Sequence, residues 1–400
     1  MKIAIMGYGT IGSGVMEVLK TNGGVIASRV GEPIEVKKVL DLRDFEGDPV
    51  QPLVVHDYMD IVNDDEIVMV VETMGGVEPA YTFVKAMLEK GKAVTTSNKA
   101  LVADKGAELL RIAAECGTNF MFEASVGGGI PIIRTILACL TGDVIEEITG
   151  IVNGTTNYMM TKMMREGSDF DAVLKEAQAN GYAEKDPTAD IEGLDACRKI
   201  AILTSIVAGA QVDYEDIPTE GISKITQTDI LYANKMHRMI KLLADSKAVG
   251  DTYSCRVAPF LVAQEHPLYA VNDVFNAVFV KGNMLGESMY YGSGAGSLPT
   301  ASAVVGDLVR MAKHLDRVIP IEWREEKVVL ADEKEQRYAH FIRSTADKKA
   351  IETAFAQVDF IDAGVEGEIG FVTPVMSERE FDKCAASLGE GAVVGHIRIA

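Results

Sequence analysis

Lys2 to Met6 form a β-branched, apolar run that passes directly into Gly7-Tyr8-Gly9-Thr10-Ile11-Gly12 and then into the helical stretch Val15 to Leu19. Three glycines spaced G-x-G-x-x-G between a strand and a helix leave few folds open. The first permits a tight turn, the second lets backbone approach a pyrophosphate, and the third lets the helix pack closely on the strand. Backbone N–H groups at the helix start then face an anion. A glycine-rich turn with no ligand is the plainer alternative, but its place after an N-terminal strand favours a Rossmann-type dinucleotide-binding domain. Gly7, Gly9, Thr10, Ile11 and Gly12 are its expected cofactor contacts.

The next segments repeat a β-α-β rhythm. Ile34 to Leu40 reads as a second strand ending at Asp41, where this fold places the acid that bonds the adenine ribose. That separation exceeds the usual ~20 residues, and Thr21 to Glu32 reads as a longer crossover. Arg43, two residues on, suits a 2′-phosphate, so both NAD and NADP are expected to serve, with NADP favoured. Ile67 to Val71 runs into Glu72-Thr73-Met74-Gly75-Gly76, and the amphipathic stretch Pro79 to Glu89 leads to the strand Ala93 to Thr96. Parallel strands at this rhythm carry ligands at their ends, which makes Thr73 and the Ser97-Asn98-Lys99 corner candidates. An exposed loop lysine is the alternative for Lys99.

At 400 residues the chain exceeds the roughly 250 to 300 that one core usually supports, so two or three domains are expected. Its net charge of −20 repels nucleic acid and anionic membranes and favours a small-molecule substrate. The first residues read as a strand and leave no room for a signal peptide. The longest apolar stretch, around Ile200 to Ala210, falls short of the ~18 residues that span a bilayer. Five cysteines without a C-x-x-C pair suit a reducing cytosol, and the six histidines lack metal-ligand spacing. A cytoplasmic location follows as the expectation.

Further along, Glu123 to Pro131 and Asn153-Gly154-Thr155-Thr156-Asn157-Tyr158 set glycines beside small polar residues, as plain turns or as backbone that holds an ion or polar substrate. Gly181 to Asp190 gathers Glu184, Asp186 and Asp190 before a helix expected from about Ile191 to Ala208, with Asp190 placed to cap it. Asp195 and Lys199 lie four apart and share a face of that helix. The helix is apolar on several sides, so it reads as buried, with its charged pair in a partly enclosed pocket. A surface ion pair is the plainer reading. Gly292-Ser293-Gly294-Ala295-Gly296 before the amphipathic Ala301 to His314 marks either close backbone approach to a flat or anionic group or a hinge.

Taken in order, these segments resemble homoserine dehydrogenase: Gly7 to Gly12, Val71-Glu72 with Gly75-Gly76, Asn98-Lys99-Ala100-Leu101, Glu123 to Pro131, Gly150 to Tyr158, Gly181 to Lys199, and Gly294 to Ala303. The resemblance implies reversible NAD(P)H-dependent reduction of L-aspartate 4-semialdehyde to L-homoserine in threonine and methionine biosynthesis, by a homodimer or dimer of dimers. It implies Gly9, Thr10, Ile11, Thr73, Lys99 and Gly296 at the cofactor, and Glu184 and Asp195 at the substrate's amino end, with Asp190 in support. Lys199 is implied as proton donor, with Lys99 its rival. A monovalent cation, sodium, is implied at Glu123, Val126, Gly128 and Ile130 through main-chain oxygens. A different amino-acid or semialdehyde dehydrogenase would share the nucleotide end without needing Glu184, Asp195 and Lys199 together, and a non-catalytic sensor could lose the lysine.

The expected organisation is α/β throughout: a Rossmann domain over 1–130, to which a helix within 301–320 returns, and an α/β substrate-binding and dimerisation domain over 131–300. Residues 330–400 show the order β-α-β-β-α-β, which resembles an ACT-type regulatory module. Ser344 to Lys348 lacks the glycine often found before the first helix of such modules.

Overall fold

The computed structural model describes residues 1–400, which divide into two compact units. The first comprises Met1–Val144, Ala201–Tyr214 and Tyr290–Val328, and the second Ile145–Ile200, Glu215–Met289 and Val329–Ala400.

In the first unit, strands β1 (Lys2–Met6), β2 (Glu35–Leu40), β3 (Val54–Val55), β4 (Ile67–Glu72), β5 (Ala93–Thr96) and β6 (Phe120–Met121) form a parallel sheet in the order β3-β2-β1-β4-β5-β6. This is the Rossmann order expected from the glycine turn. Strand order reverses beside β1, and ligands of such sheets bind at the carboxyl ends of the strands flanking that point. Ile3, Ala4, Ile5 and Met6 are wholly buried, as a strand covered on both faces requires.

Helix α1 (Thr10–Val30) follows β1 and continues through most of the segment read as a longer crossover, Thr21 to Glu32. Gly23 and Gly24 face open space. Each glycine weakens a helix by roughly 1 kcal/mol relative to alanine, but burying an isoleucine such as Ile26 stabilises by about 1.5–3 kcal/mol. Gly31, at φ 101°, then closes the helix through its N–H to the Ala27 carbonyl. Packing therefore outweighs propensity here. The helix Ser297–Ala312 lies along α1, where Ala301, Val304, Leu308 and Met311 join Ile5, Val15, Leu19 and Val71 in one core. A short pair, β8 (Ala210–Gln211) and β13 (Arg324–Lys327), completes this unit's strands.

The second unit is built on a mixed sheet that begins with β7 (Ile145–Ile151), β9 (Arg238–Val249), β10 (Thr252–Ala263), β11 (Phe275–Gly282) and β12 (Gly286–Ser293). It continues through the C-terminal segment, in which β14 (Arg337–Ser344), helix Lys348–Phe355, β15 (Asp359–Ile361), β16 (Ile369–Val372), β17 (Met376–Ser377), helix Glu378–Ser387 and β18 (Val393–Ile399) follow in turn. The sheet order is β12-β11-β7-β9-β10-β18-β14-β16-β15, with β17 paired to β14. Ile342, Ile351, Phe355, Phe371 and Phe381 close a small core under the two C-terminal helices.

One expected helix is divided. The stretch read as continuous from Ile191 to Ala208 is two helices, Thr188–Ile191 and Leu194–Ala208. Gly193, at φ +80°, turns the chain between them, and a Cβ there would press on Thr219 and Val257 at 3.1 and 3.2 Å. Asp190 therefore lies inside the short helix instead of capping the long one. The turn entering the short helix is made by Asp186, whose Oδ1 accepts the Thr188 N–H at 3.1 Å and the Thr188 hydroxyl at 2.7 Å.

The glycine turn yields a test of the fold. A Cβ on Gly12 would sit 2.0 Å from the Gly7 carbonyl oxygen, whereas one on Gly9 would meet nothing within 4 Å. Gly12→Ala is expected to destabilise the protein by about 1–3 kcal/mol, the usual cost of overpacking, and Gly9→Ala by no more than about 0.5 kcal/mol, as for an open surface site. Chemical denaturation of both variants measures the difference, and equal stability losses would contradict this packing.

Candidate active site

In the first unit, the residues expected at a cofactor collect around the β1–α1 turn. Gly9 caps the start of α1 without a side-chain hydrogen bond, and a Cβ on it would meet nothing within 4 Å, so the first-turn N–H groups, which have no intrahelical partner, are available to an anion. Thr73 supports the turn from the end of β4: its N–H donates to the Met6 carbonyl at 2.9 Å and its hydroxyl to the Gly7 carbonyl at 2.8 Å. Gly296, at φ 118°, immediately precedes the helix Ser297–Ala312, and the Ser297 hydroxyl donates to the Thr10 carbonyl at 2.7 Å. Two glycine-rich segments far apart in sequence thus meet at one helix start.

Asp41 and Arg43 engage each other. The guanidinium donates to the Asp41 carboxylate at 2.9 Å from Nε and 3.0 Å from Nη2, and the same carboxylate accepts the Tyr8 N–H at 2.8 Å. Arg43 foremost, with help from these backbone donors, holds the Asp41 carboxyl at about 2 against the opposing effect of burial. The arginine also lies over the Phe45 ring, 5.0 Å from its centroid. A largely exposed positive fork is thereby held at the end of β2.

Lys99 opens the helix Lys99–Glu115 and follows a helix cap. The Asn98 Oδ1 accepts the Leu101 N–H at 3.1 Å, and its Nδ2 donates to the Gly76 carbonyl at 2.6 Å. Beneath both lies Glu72, wholly buried, which accepts the Thr96 hydroxyl and the Met74 N–H. Burial pushes its carboxyl above the ordinary range despite these donors. One buried acid thus ties the β4 end to the corner that bears Lys99.

Glu123, Val126, Gly128 and Ile130 lie on a loop whose conformation is fixed by close backbone approach. Gly128 has φ +56°, a Cβ on it would sit 2.3 Å from the Gly294 carbonyl oxygen, and the Gly129 N–H donates to the Ser293 carbonyl at 3.0 Å. The Glu123 carboxylate turns toward the helix Ile132–Ala138, accepting the N–H groups of Ile133 and Arg134 at 2.9 and 2.7 Å. Burial first, and then the neighbouring Asp307 carboxylate, push its carboxyl up to about 7. No group of three or more His, Cys, Asp or Glu side chains gathers as a metal site.

The second unit holds the charged cluster. Lys199 and Asp195 project from the same face of helix Leu194–Ala208, 8% and 2% exposed. The Lys199 ammonium donates to Asp195 Oδ2 at 2.7 Å and to the Val152 carbonyl at 2.7 Å. Asn153, the next residue, donates from Nδ2 to the same Asp195 oxygen at 2.9 Å and to Asp190 Oδ1 at 2.8 Å. The plainer reading of the lysine–aspartate pair, a solvated surface contact, does not hold. Asp190, Asp195 and Lys199 are thus joined through a residue that sequence reading placed only in a polar turn. Its signal was present: Asn153 directly precedes a helix, Gly154–Glu166, and caps it. Glu184 is exposed on the preceding loop, with its carbonyl accepting from Gln178 at 3.0 Å. The Tyr182 carbonyl accepts the Thr155 hydroxyl at 2.6 Å, which fastens this loop to the same helix start.

These features agree with what the chain is similar to. Residues 7–123 match the family model described as "Homoserine dehydrogenase, NAD binding domain", and residues 131–309 match "Homoserine dehydrogenase". Homoserine dehydrogenase of Bacillus subtilis is 43% identical over 319 residues, covering 79% of this chain and 73% of that protein. The crystal structure of a homoserine dehydrogenase from Thiobacillus denitrificans superposes with a TM-score of 0.92 at 35% identity, covering 100% of this chain and 98% of the other. A hyperthermophilic archaeal homoserine dehydrogenase in complex with NADPH matches with a TM-score of 0.65 at 28% identity, covering 78% and 97%. With both family models matched in order and nearly half the residues shared with a named relative over most of the chain, the protein belongs to the homoserine dehydrogenase family, NAD(P)-dependent oxidoreductases that act on a CH–OH group.

Proposed function

We propose that in the family's reaction, the reversible reduction of L-aspartate 4-semialdehyde to L-homoserine, Lys199 gives the carbonyl oxygen its proton while Glu184 and Asp195, supported by Asp190, hold the substrate's ammonium group. The observation that carries this reading is the buried Lys199–Asp195 pair beside Asn153 and Val152. NAD(P)H supplies the hydride to the carbonyl carbon when bound. As negative charge grows on oxygen, a positioned ammonium stabilises it and transfers a proton; in the reverse direction the neutral amine accepts it. A carboxylate and an ammonium ~4 Å apart attract by about 4 kcal/mol at an effective dielectric of ~20, before desolvation is counted.

Cofactor binding is assigned to Gly7, Gly9, Thr10, Ile11, Gly12, Thr73, Lys99 and Gly296, with Arg43 receiving the 2′-phosphate of NADP. The fit rests on the open Gly9 cradle at a helix start and on the exposed guanidinium at the end of β2. NADPH in the archaeal relative is consistent with this choice. A sodium ion would be held by main-chain oxygens at Glu123, Val126, Gly128 and Ile130, a hard-oxygen set that suits such a cation, since the Glu123 carboxylate is taken up by helix amides. Residues 131–300 serve as the substrate and dimerisation domain, and 330–400 as an ACT-like module that responds to threonine. The sheet order β18-β14-β16-β15, with a helix after β14 and another before β18, supports the ACT-like arrangement of that module. The enzyme is assigned to the cytoplasm. Sedimentation of the intact protein tests the dimer, and threonine titration should lower activity, a flat response leaving the module with a structural role.

Three substitutions test the chemistry and the cofactor choice. Lys199→Ala is expected to reduce kcat by ~10² to 10⁴, the range for general acid catalysis, with NADPH affinity retained. If Lys199→Ala keeps near-normal kcat while Lys99→Ala is inactive, the two lysines exchange roles. Arg43→Ala should raise the KM for NADPH on the order of tenfold, as expected for loss of a charged hydrogen bond, and leave that for NADH nearly unchanged; equal losses would remove Arg43 from phosphate recognition.

A further inference from the structure

Asn153 does more than cap a helix. An asparagine amide offers two N–H donors and one oxygen with two acceptor positions, and in Asn153 each is engaged. Nδ2 donates to Asp190 Oδ1 at 2.8 Å and Asp195 Oδ2 at 2.9 Å, while Oδ1 accepts the Thr156 N–H at 2.9 Å and the Thr156 hydroxyl at 3.0 Å. The residue is only 6% exposed. Its neighbours dictate its orientation. A flipped amide would set oxygen against two carboxylates and NH₂ against a backbone N–H, and buried polar groups left in that state are costly.

Two carboxylates that share one nitrogen are thereby held at a fixed mutual distance although like charges would drive them apart. One of those carboxylate oxygens, Asp195 Oδ2, also receives the Lys199 ammonium. The helix that Asn153 caps begins at Gly154, where a Cβ would sit 2.9 Å from the Val274 carbonyl oxygen, so the anchor point is itself tightly packed.

We infer that Asn153 is a positioning and specificity-determining residue: its amide sets the spacing of Asp190 and Asp195 for an α-ammonium group, and so selects amino-acid substrates over their deaminated counterparts. This rests on the proposed reading that Asp195, with Asp190 in support, receives the ammonium together with Glu184. Without the amide, Asp195 is free to turn fully onto Lys199 and Asp190 to swing toward water. Ammonium recognition then weakens more than proton transfer, because Lys199 keeps its contacts with Asp195 and the Val152 carbonyl.

Asn153→Ser and Asn153→Asp both retain an oxygen that caps a helix, yet neither can donate to both carboxylates as the amide does. The measurements are kcat and KM for aspartate semialdehyde, KM for NADPH, thermal stability, and the inhibition constants of L-homoserine and of 4-hydroxybutyrate, the same alcohol without its ammonium. For Asn153→Ser the semialdehyde KM and the homoserine inhibition constant should rise on the order of tenfold or more, the scale of lost charged hydrogen bonds. The 4-hydroxybutyrate constant and the NADPH KM should stay within about twofold, and kcat should fall less than KM rises. Asn153→Asp, which adds a third carboxylate, should show a larger loss of homoserine binding with the cap intact.

A purely structural role predicts lower thermal stability with unchanged KM and an unchanged ratio of the two inhibition constants, and that outcome in either variant overturns the inference. Asp195→Asn separates the two levels of the argument. If it lowers the homoserine preference while the Asn153 variants do not, the positioning role fails and the ammonium site stands. If none of the three moves that preference, the ammonium site fails with it.

Discussion

A lysine and an aspartate nearly withdrawn from water remain an ion pair only where further hydrogen bonds complete their surroundings, because desolvation of each charge costs several kcal/mol. The Val152 carbonyl supplies such a bond to Lys199, and the Asn153 amide supplies one to Asp195 Oδ2. The requirement shapes the chain around them. The end of β7 must deliver two successive residues to the face of helix Leu194–Ala208, and the helix Gly154–Glu166 must begin where Asn153 can cap it. The divided helix has the same logic, since the turn at Gly193 lets Asp190 reach the amide that also binds Asp195.

A comparable device operates in the first unit. Glu72 is buried at the end of β4 and collects donors from β5 and from the glycine loop that follows it. Asn98 then repeats what Asn153 does, capping the helix that starts with Lys99 while its amide reaches back to Gly76. In both units a lysine of interest sits on a helix whose placement depends on an asparagine at a strand end. Buried asparagine side chains that bond to helix-start amides, carbonyls and carboxylates thus help determine where the cations stand.

The parts of this architecture that depend on local geometry were legible in the sequence. G-x-G-x-x-G after an apolar strand reflects constraints within a few residues, and four-residue spacing put Asp195 and Lys199 on one face. The length of α1 was not legible, because two glycines lower its propensity and the burial of Ile26, a tertiary contact, restores it. The role of Asn153 was hidden for a similar reason: its carboxylate partners lie 37 and 42 residues away. Asp41 and Arg43 read as competing signals for two cofactors, whereas folded they form one unit in which the arginine holds the acid ionised.

The central claim, that Lys199 is the group that exchanges the proton with the substrate oxygen, is tested most directly by chemical rescue. Small primary amines added to purified Lys199→Ala should restore aldehyde reduction in a saturable manner, with a rate that follows the pKa of the amine, and should not rescue Lys99→Ala. Rescue confined to Lys99→Ala, with Lys199→Ala indifferent to added amine, would contradict the assignment.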